Sequence, residues 1–210
     1  MVNKSIVIVG CGGHAVSCLN LLEEISDYEF EGFIGLDHEV GNRLYGYEVI
    51  GTEDDMEKLK HSVASVVIGV GQITNSHRRS YLFNLYLSQG FKVPTLISPH
   101  AHVSQDVNIG VGVQIFNSSI INKGVTIGNN SIINTGALLE HEVSIGENCH
   151  ISTRAVINGN TKISGGSFVG SNAVLKQGIA IGANCFINMG LIVKKDIGAD
   201  SICRSQKGLN

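Results

Sequence analysis

The segment LLEHEVSIGENCHIS, Leu138 to Ser152, sets His141 between Glu140 and Glu142 and brings a second histidine, His150, nine residues later. An imidazole beside a carboxylate can be held in one tautomer and made more basic, which is what a general base near neutral pH requires. That makes His141 the catalytic candidate and Glu142 the acid behind it; the competing reading is a surface histidine in an acidic neighbourhood. A second pattern, GCGGHA from Gly10 to Ala15, fits G-x-G-x-x-A between an apolar run and a helix-like stretch. Glycines there let the backbone approach a phosphate at a helix N-terminus. Asp37, past the second strand-like run, is a candidate for a ribose or base contact, or else a solvated turn acid. Gly71 closes SVVIGVG, at the carboxyl edge where ligands gather in open α/β folds.

The first half that must position this edge alternates strand-like and helix-like stretches. SIVIVG, FEGFIG, YEVIG, SVVIGVG and VPTLIS read as strands; HAVSCLNLLEEI, TEDDMEKLKH and NSHRRSYLFNLYLSQG read as helices, with Thr52 capping the second and Gly90 closing the third. Such alternation predicts a parallel sheet with right-handed crossovers, a Rossmann-like α/β domain over residues 1–98. It is too short for two mononucleotide-binding units, so a hydride-transferring dehydrogenase is not expected.

From Val103 the period becomes six. Val103, Ile109, Ile115 and so on to Val193 give sixteen aliphatic residues without a break, each followed four places later by a small or aliphatic residue. Neither a helix nor a lone amphipathic strand has that period; a solenoid of stacked turns does. The expectation over residues 99–210 is a prism of about five coils, ~25 Å tall at ordinary strand spacing. Cys149 occupies the small inward place of its hexad and should be inert, and His150 reads as a corner residue. A three-histidine zinc site would have to be assembled from His102, His141 and His150, and no metal is expected.

Composition narrows the partners. The 210 residues carry 15 basic and 18 acidic side chains without a basic block, which argues against nucleic-acid binding. No run approaches the ~20 apolar residues of a membrane span. Lys4 before Ile6–Val9 superficially resembles a signal peptide, but glycines interrupt the run and a buried strand is expected. Five cysteines without a CxxC pair favour a reduced, cytoplasmic protein.

The GxGGHA opening, followed by an unbroken hexapeptide solenoid containing NTGALLEHEVSIGENCHIS, resembles bacterial sugar acyltransferases over residues about 4 to 198. That group includes nucleotide-sugar 4-amino N-acetyltransferases of the UDP-bacillosamine and GDP-perosamine pathways and sialic acid O-acetyltransferases. The resemblance implies a left-handed parallel β-helix, acetyl-CoA as acetyl donor, a nucleotide-sugar substrate in surface glycan biosynthesis and a homotrimer. It assigns His141 as general base and Glu142 as the acid that raises its basicity. It also assigns His150 to the acetyl end of acetyl-CoA, and Gly159, Ser171 and Met189 to the cofactor groove. Gly12, Gly13, His14, Asp37 and Gly71 match positions that hold the sugar nucleotide. The chain departs from the pattern in three places: Gly35-Leu36 precede Asp37 where two acids are common, Met189 stands where glycine is frequent, and the tail SICRSQKGLN differs from the usual ending. Lys194, Lys195 and Arg204 are alternative partners for CoA phosphates. The alternatives kept open are O-acetylation of sialic acid or a related sugar and, in another class, a non-catalytic trimeric scaffold.

Overall fold

The computed structural model describes residues 4–25 and 27–209. They form two compact units: one runs to Gly71 and resumes at Tyr81–Pro94, the other takes Gln72–Ser80 and everything from Thr95.

In the first unit, β1 (Ser5–Val9) is buried along its whole length and pairs in parallel with β2 (Glu29–Ile34) on one side and β5 (Ser65–Ile68) on the other. The sheet is completed by β3 (Arg43–Leu44) and β4 (Tyr47–Gly51) in the order β3-β4-β2-β1-β5, with β3 antiparallel to β4. A continuous apolar run suits β1 because a central strand of a parallel sheet is covered on both faces. Helix α1 (Gly13–Glu24) follows β1 directly, as the glycine pattern predicts. The TEDDMEKLKH helix is shorter than expected: a 3₁₀ turn over Glu53–Asp55 precedes a single α-turn, α2 (Met56–Leu59). Thr52 caps it, its hydroxyl accepting from the Asp54 N–H at 3.3 Å while Asp55 accepts from the Thr52 N–H at 3.0 Å. The third helix, α3, spans His77–Ser88.

The last strand expected of the first half behaves differently. Leu96–Ile97 pairs in parallel with Gln114–Ile115, so it is the first rung of the solenoid and no part of the open sheet. Ile97 lies six residues before Val103 and already obeys the hexad rule.

The second unit is a left-handed parallel β-helix. Two-residue rungs pair with rungs eighteen residues on, as Ile120 with Leu138 and Leu138 with Val156, and stack into three flat sheets of seven, six and five strands. The second residue of each rung points inward, and Ile115, Ile121, Ile133, Leu139, Ile151 and Ile157 are fully buried. The small position four residues on is buried too; its hydroxyls are satisfied, Ser131 donating to the Gly146 carbonyl at 2.8 Å and Thr161 to the Lys176 carbonyl at 3.0 Å. Cys149 is buried, and desolvation pushes its thiol up to about 12, the inert state expected from its register.

Most corners turn through a left-handed residue. Positive φ recurs every six residues from Gly112 to Gly190, on glycine or asparagine at most corners and on Ser118, Glu142 and Arg154 at three of them. The outward rung residues distinguish the faces. One face is polar over four rungs, Asn108, Thr126, Ser144 and Lys162, and ends on the small Ala180. The next is an aliphatic ladder, Ile120, Leu138, Val156, Val174 and Ile192. The third carries Gln114, Ile132, His150 and Phe168, all buried; the Gln72–Ser80 strap hydrogen-bonds along its edge.

Candidate active site

His141 and Glu142 form the corner between the aliphatic and polar faces, after Leu138–Leu139 and before Ser144–Ile145. Both side chains are exposed, at 51% and 64%, and His141 Nδ1 lies 3.5 Å from Glu142 Oε2. Glu142 holds the left-handed corner at φ 59°, a conformation that disfavours a side chain of its kind, and that geometry sets its carboxylate beside the ring. One coil on, Gly159 lies under the imidazole: a β-carbon there would come 2.5 Å from His141 Cε1 and Nε2. The next residue's N–H, from Asn160, donates to the His141 carbonyl at 2.9 Å, tying the two corners together. His141, Glu142 and Gly159 therefore converge.

The other cofactor candidates occupy different ground. Ser171 and Met189, eighteen residues apart, stack on the opposite edge of the aliphatic face. The Ser171 hydroxyl is 3.0 Å from that of Ser152, and Met189 is 69% exposed. His150 is a correction to the corner reading: it opens the rung His150–Ile151, because each rung begins one residue before its inward aliphatic, and it is only 7% exposed. Its Nδ1 is 2.7 Å from the Gln72 carbonyl oxygen and its Nε2 is 3.2 Å from Asn134 Nδ2. Burial pushes its pKa down to about 4, with the Arg79 charge adding to the effect against the Gln72 hydrogen bond. Arg204, with Asp196, Cys203, Lys207 and Leu209, lines a cavity of about 680 Å³ at the C-terminal end of the solenoid.

In the first unit the substrate candidates cluster at the carboxyl edge of the sheet. Gly12 and Gly13 are exposed at the start of α1, and a β-carbon on either would meet no atom within 4 Å. Gly10, at φ 109°, needs glycine for its backbone; Gly12 and Gly13 are not constrained by the surrounding chain. His14 packs on Gly71, whose β-carbon would stand 3.2 Å from that of His14. Asp37 is exposed and begins the 3₁₀ turn Asp37–Glu39, closed by Glu39 accepting from the Leu36 N–H at 2.8 Å. Among the described residues no group of three or more His, Cys, Asp or Glu is placed to hold a metal ion, and no helix is long and apolar enough to cross a membrane.

Residues 5–85 match the PglD N-terminal domain family, and residues 161–195 match the hexapeptide repeat of succinyl-transferase. The structure resembles PerB from Caulobacter crescentus, solved with CoA and GDP-perosamine, at 26% identity and a TM-score of 0.87 over 94% of this chain and 92% of that one. It also resembles the acetyltransferase domain of PglB from Neisseria gonorrhoeae, solved with acetyl coenzyme A, at 27% identity and a TM-score of 0.85 over 93% of each chain. The chain is an acyltransferase with a PglD-type N-terminal domain and a hexapeptide repeat. WeeI from Acinetobacter baumannii shares the fold, at 22% identity and a TM-score of 0.82 over 94% of this chain and 95% of that one. A search of curated proteins found no match.

Two groups of this acyltransferase escaped the sequence reading. Asn134 and Gln72 hold the ring of His150 from either side. Asparagine is common at solenoid corners, so nothing marked Asn134, and the Gln72 contact joins residues 78 apart in the chain.

Proposed function

We propose that this acyltransferase transfers the acetyl group of acetyl-CoA to the 4-amino group of a nucleotide-linked amino sugar in surface glycan biosynthesis, with His141 as general base. The observation that carries this reading is the exposed His141 ring, set against Gly159 and backed by Glu142. The PglD-type N-terminal domain and the likeness to an enzyme solved with CoA and GDP-perosamine support a sugar nucleotide at the carboxyl edge of residues 1–98 and acetyl transfer by residues 99–210. Gly12, Gly13, His14, Asp37 and Gly71 are assigned to the sugar nucleotide. The two neighbouring glycines, which the surrounding chain does not require, suit a pyrophosphate on the first turn of α1. That a GDP-perosamine N-acetyl transferase from Caulobacter crescentus was solved as a histidine-to-alanine variant with CoA and GDP-perosamine agrees with a histidine at the centre of the chemistry.

The reaction needs a neutral amine and a leaving thiol. As the sugar nitrogen bonds to the thioester carbonyl carbon, His141 takes its proton; when the C–S bond breaks, that proton goes to the CoA sulfur. Glu142 stabilises the imidazolium in between. The Gly159 N–H makes no hydrogen bond within the chain among the described residues, and it is assigned as a donor to the developing oxyanion. No covalent acetyl-enzyme is needed.

The aliphatic ladder supports a homotrimer. Ile120 and Ile192 are 43% and 48% exposed on a face whose neighbour, built from identical rungs, is polar. A cyclic assembly through this face would cover the ladder and bring one protomer's His141 edge towards its partner's Ser171–Met189 edge, completing the cofactor groove. The five cysteines are free thiols, which supports a reducing, cytoplasmic setting.

The test is purified protein with acetyl-CoA and a panel of UDP-, dTDP-, GDP- and CMP-linked sugars. Thiol release with a 4-amino sugar nucleotide and an N-acetylated product supports the reading. Release only with free or CMP-linked sialic acid replaces it with O-acetylation.

A further inference from the structure

A polar relay with one possible direction runs from the corner after Ile132–Ile133 into the buried face. The Thr135 N–H donates to Asn134 Oδ1 at 2.8 Å, and this sets the amide so that Nδ2 faces His150 Nε2 at 3.2 Å. An amide NH₂ can only donate, so Nε2 is the accepting nitrogen of the ring. Across the ring, Nδ1 lies 2.7 Å from the Gln72 carbonyl, which can only accept, so Nδ1 carries the hydrogen. The ring is clamped further by Phe168, edge-on at a centroid distance of 5.2 Å. Gln72 is itself pinned, its side-chain amide donating to the Asn148 carbonyl at 2.6 Å. Farther along the strap, Arg79 Nε donates to the Asn130 carbonyl at 3.0 Å, and Asn130 Nδ2 returns a hydrogen to the Arg79 carbonyl at 3.4 Å.

Both ring nitrogens of His150 are thus engaged in directed hydrogen bonds, and the neutral ring has no hydrogen left for a thioester carbonyl. Asn134 does. It is half-buried at the corner, its oxygen is taken by Thr135 and one amide hydrogen by His150; the second has no acceptor within the chain among the described residues.

We propose that His150 is a positioning residue for acetyl transfer: as the neutral Nδ1–H tautomer it orients Asn134, and the second Asn134 amide hydrogen is the group presented to the acyl donor or acceptor. This rests on the acetyl-transfer reading above and changes the role of His150 within it. In this role His150 acts one hydrogen bond behind the Asn134 amide.

Two measurements on the full-length protein test this. The first does not depend on activity: ¹⁵N-histidine NMR at neutral pH should give His150 a protonated Nδ1 and an unprotonated Nε2, assigned by loss of the signal in His150→Gln. An Nε2–H tautomer or an imidazolium overturns the relay. The second is a mutant cycle read in kcat and KM, with melting temperatures alongside. Asn134→Ala and His150→Ala should each lower kcat/KM by about 10- to 100-fold, and the double variant should be no worse than either. Multiplying losses mean that His150 acts independently and overturn the proposal. Where His150→Ala does not fold, His150→Gln and His150→Asn decide. Glutamine sets an acceptor where Nε2 stood and should restore most of the turnover, whereas asparagine reaches only the Gln72 side and should not. Equal activity of the pair, or activity that merely tracks melting temperature, overturns it. If the unaltered protein acetylates no sugar, the acetyl-transfer reading fails while the NMR still judges the relay.

Discussion

Gly159 exists beneath His141 because the ring fills the space a β-carbon would take. The clash distance of 2.5 Å involves an exposed, movable side chain, so a methyl group at 159 would displace the ring rather than unfold the coil. Gly159→Ala is therefore expected to leave the melting temperature nearly unchanged and to lower kcat by roughly 10²-fold, since a displaced base loses its alignment. Circular dichroism with a thiol-release assay checks both halves; full activity would mean that the ring is not the base.

His141→Ala should remove turnover by about 10²- to 10⁴-fold, the usual contribution of a general base, without loss of fold. A residual rate of the same size as the unaltered enzyme would leave only binding at this corner.

Glu142 adopts a left-handed conformation that asparagine accepts more readily. Glu142→Asn should hold or raise stability, by up to about 1 kcal/mol, while lowering kcat, so activity and melting temperature move in opposite directions. Parallel losses would show that the glutamate is there for structure.

His150 sets an acid limit on stability. Its folded pKa is about 4 against an ordinary 6.5, so between those values the unfolded chain binds a proton that the folded chain does not. Stability from this site is full above about 6.5 and is lost as pH falls towards 4. Of the charged groups near the ring, Arg79 opposes its protonation and strengthens the effect. Denaturant titrations should show that destabilisation over this window, and His150→Gln should flatten it; an unchanged slope would contradict the buried neutral ring.

The aliphatic ladder predicts an assembly that charge can break. Val156→Lys, at the middle of the face, should convert a trimer to monomers in sedimentation while leaving the far-ultraviolet spectrum intact, because the side chain points away from the core. A monomeric unaltered protein at micromolar concentration would remove the trimer from the mechanism.

Much of this was legible in the residues themselves. The hexad register follows from the sequence because inward packing repeats with the chain: every sixth aliphatic must enter the same core, so Cys149 could be placed inside and His141 outside before any coordinates. The G-x-G-x-x-A turn was equally readable, since a strand, a tight turn and a helix start are local. The strand Leu96–Ile97 joins the solenoid and not the open sheet, which its sequence does not reveal because a two-residue apolar run carries no record of its partner.

What tertiary structure alone decided are the pairings between distant positions. Gly159 lies one coil from His141, and Gln72 crosses to His150 over a separation of 78 residues. A sequence records which side chains are able to donate, accept or pack. It does not record which carbonyl arrives 2.7 Å from an imidazole nitrogen, and that contact turned His150 from an apparent corner ligand into a buried, neutral ring.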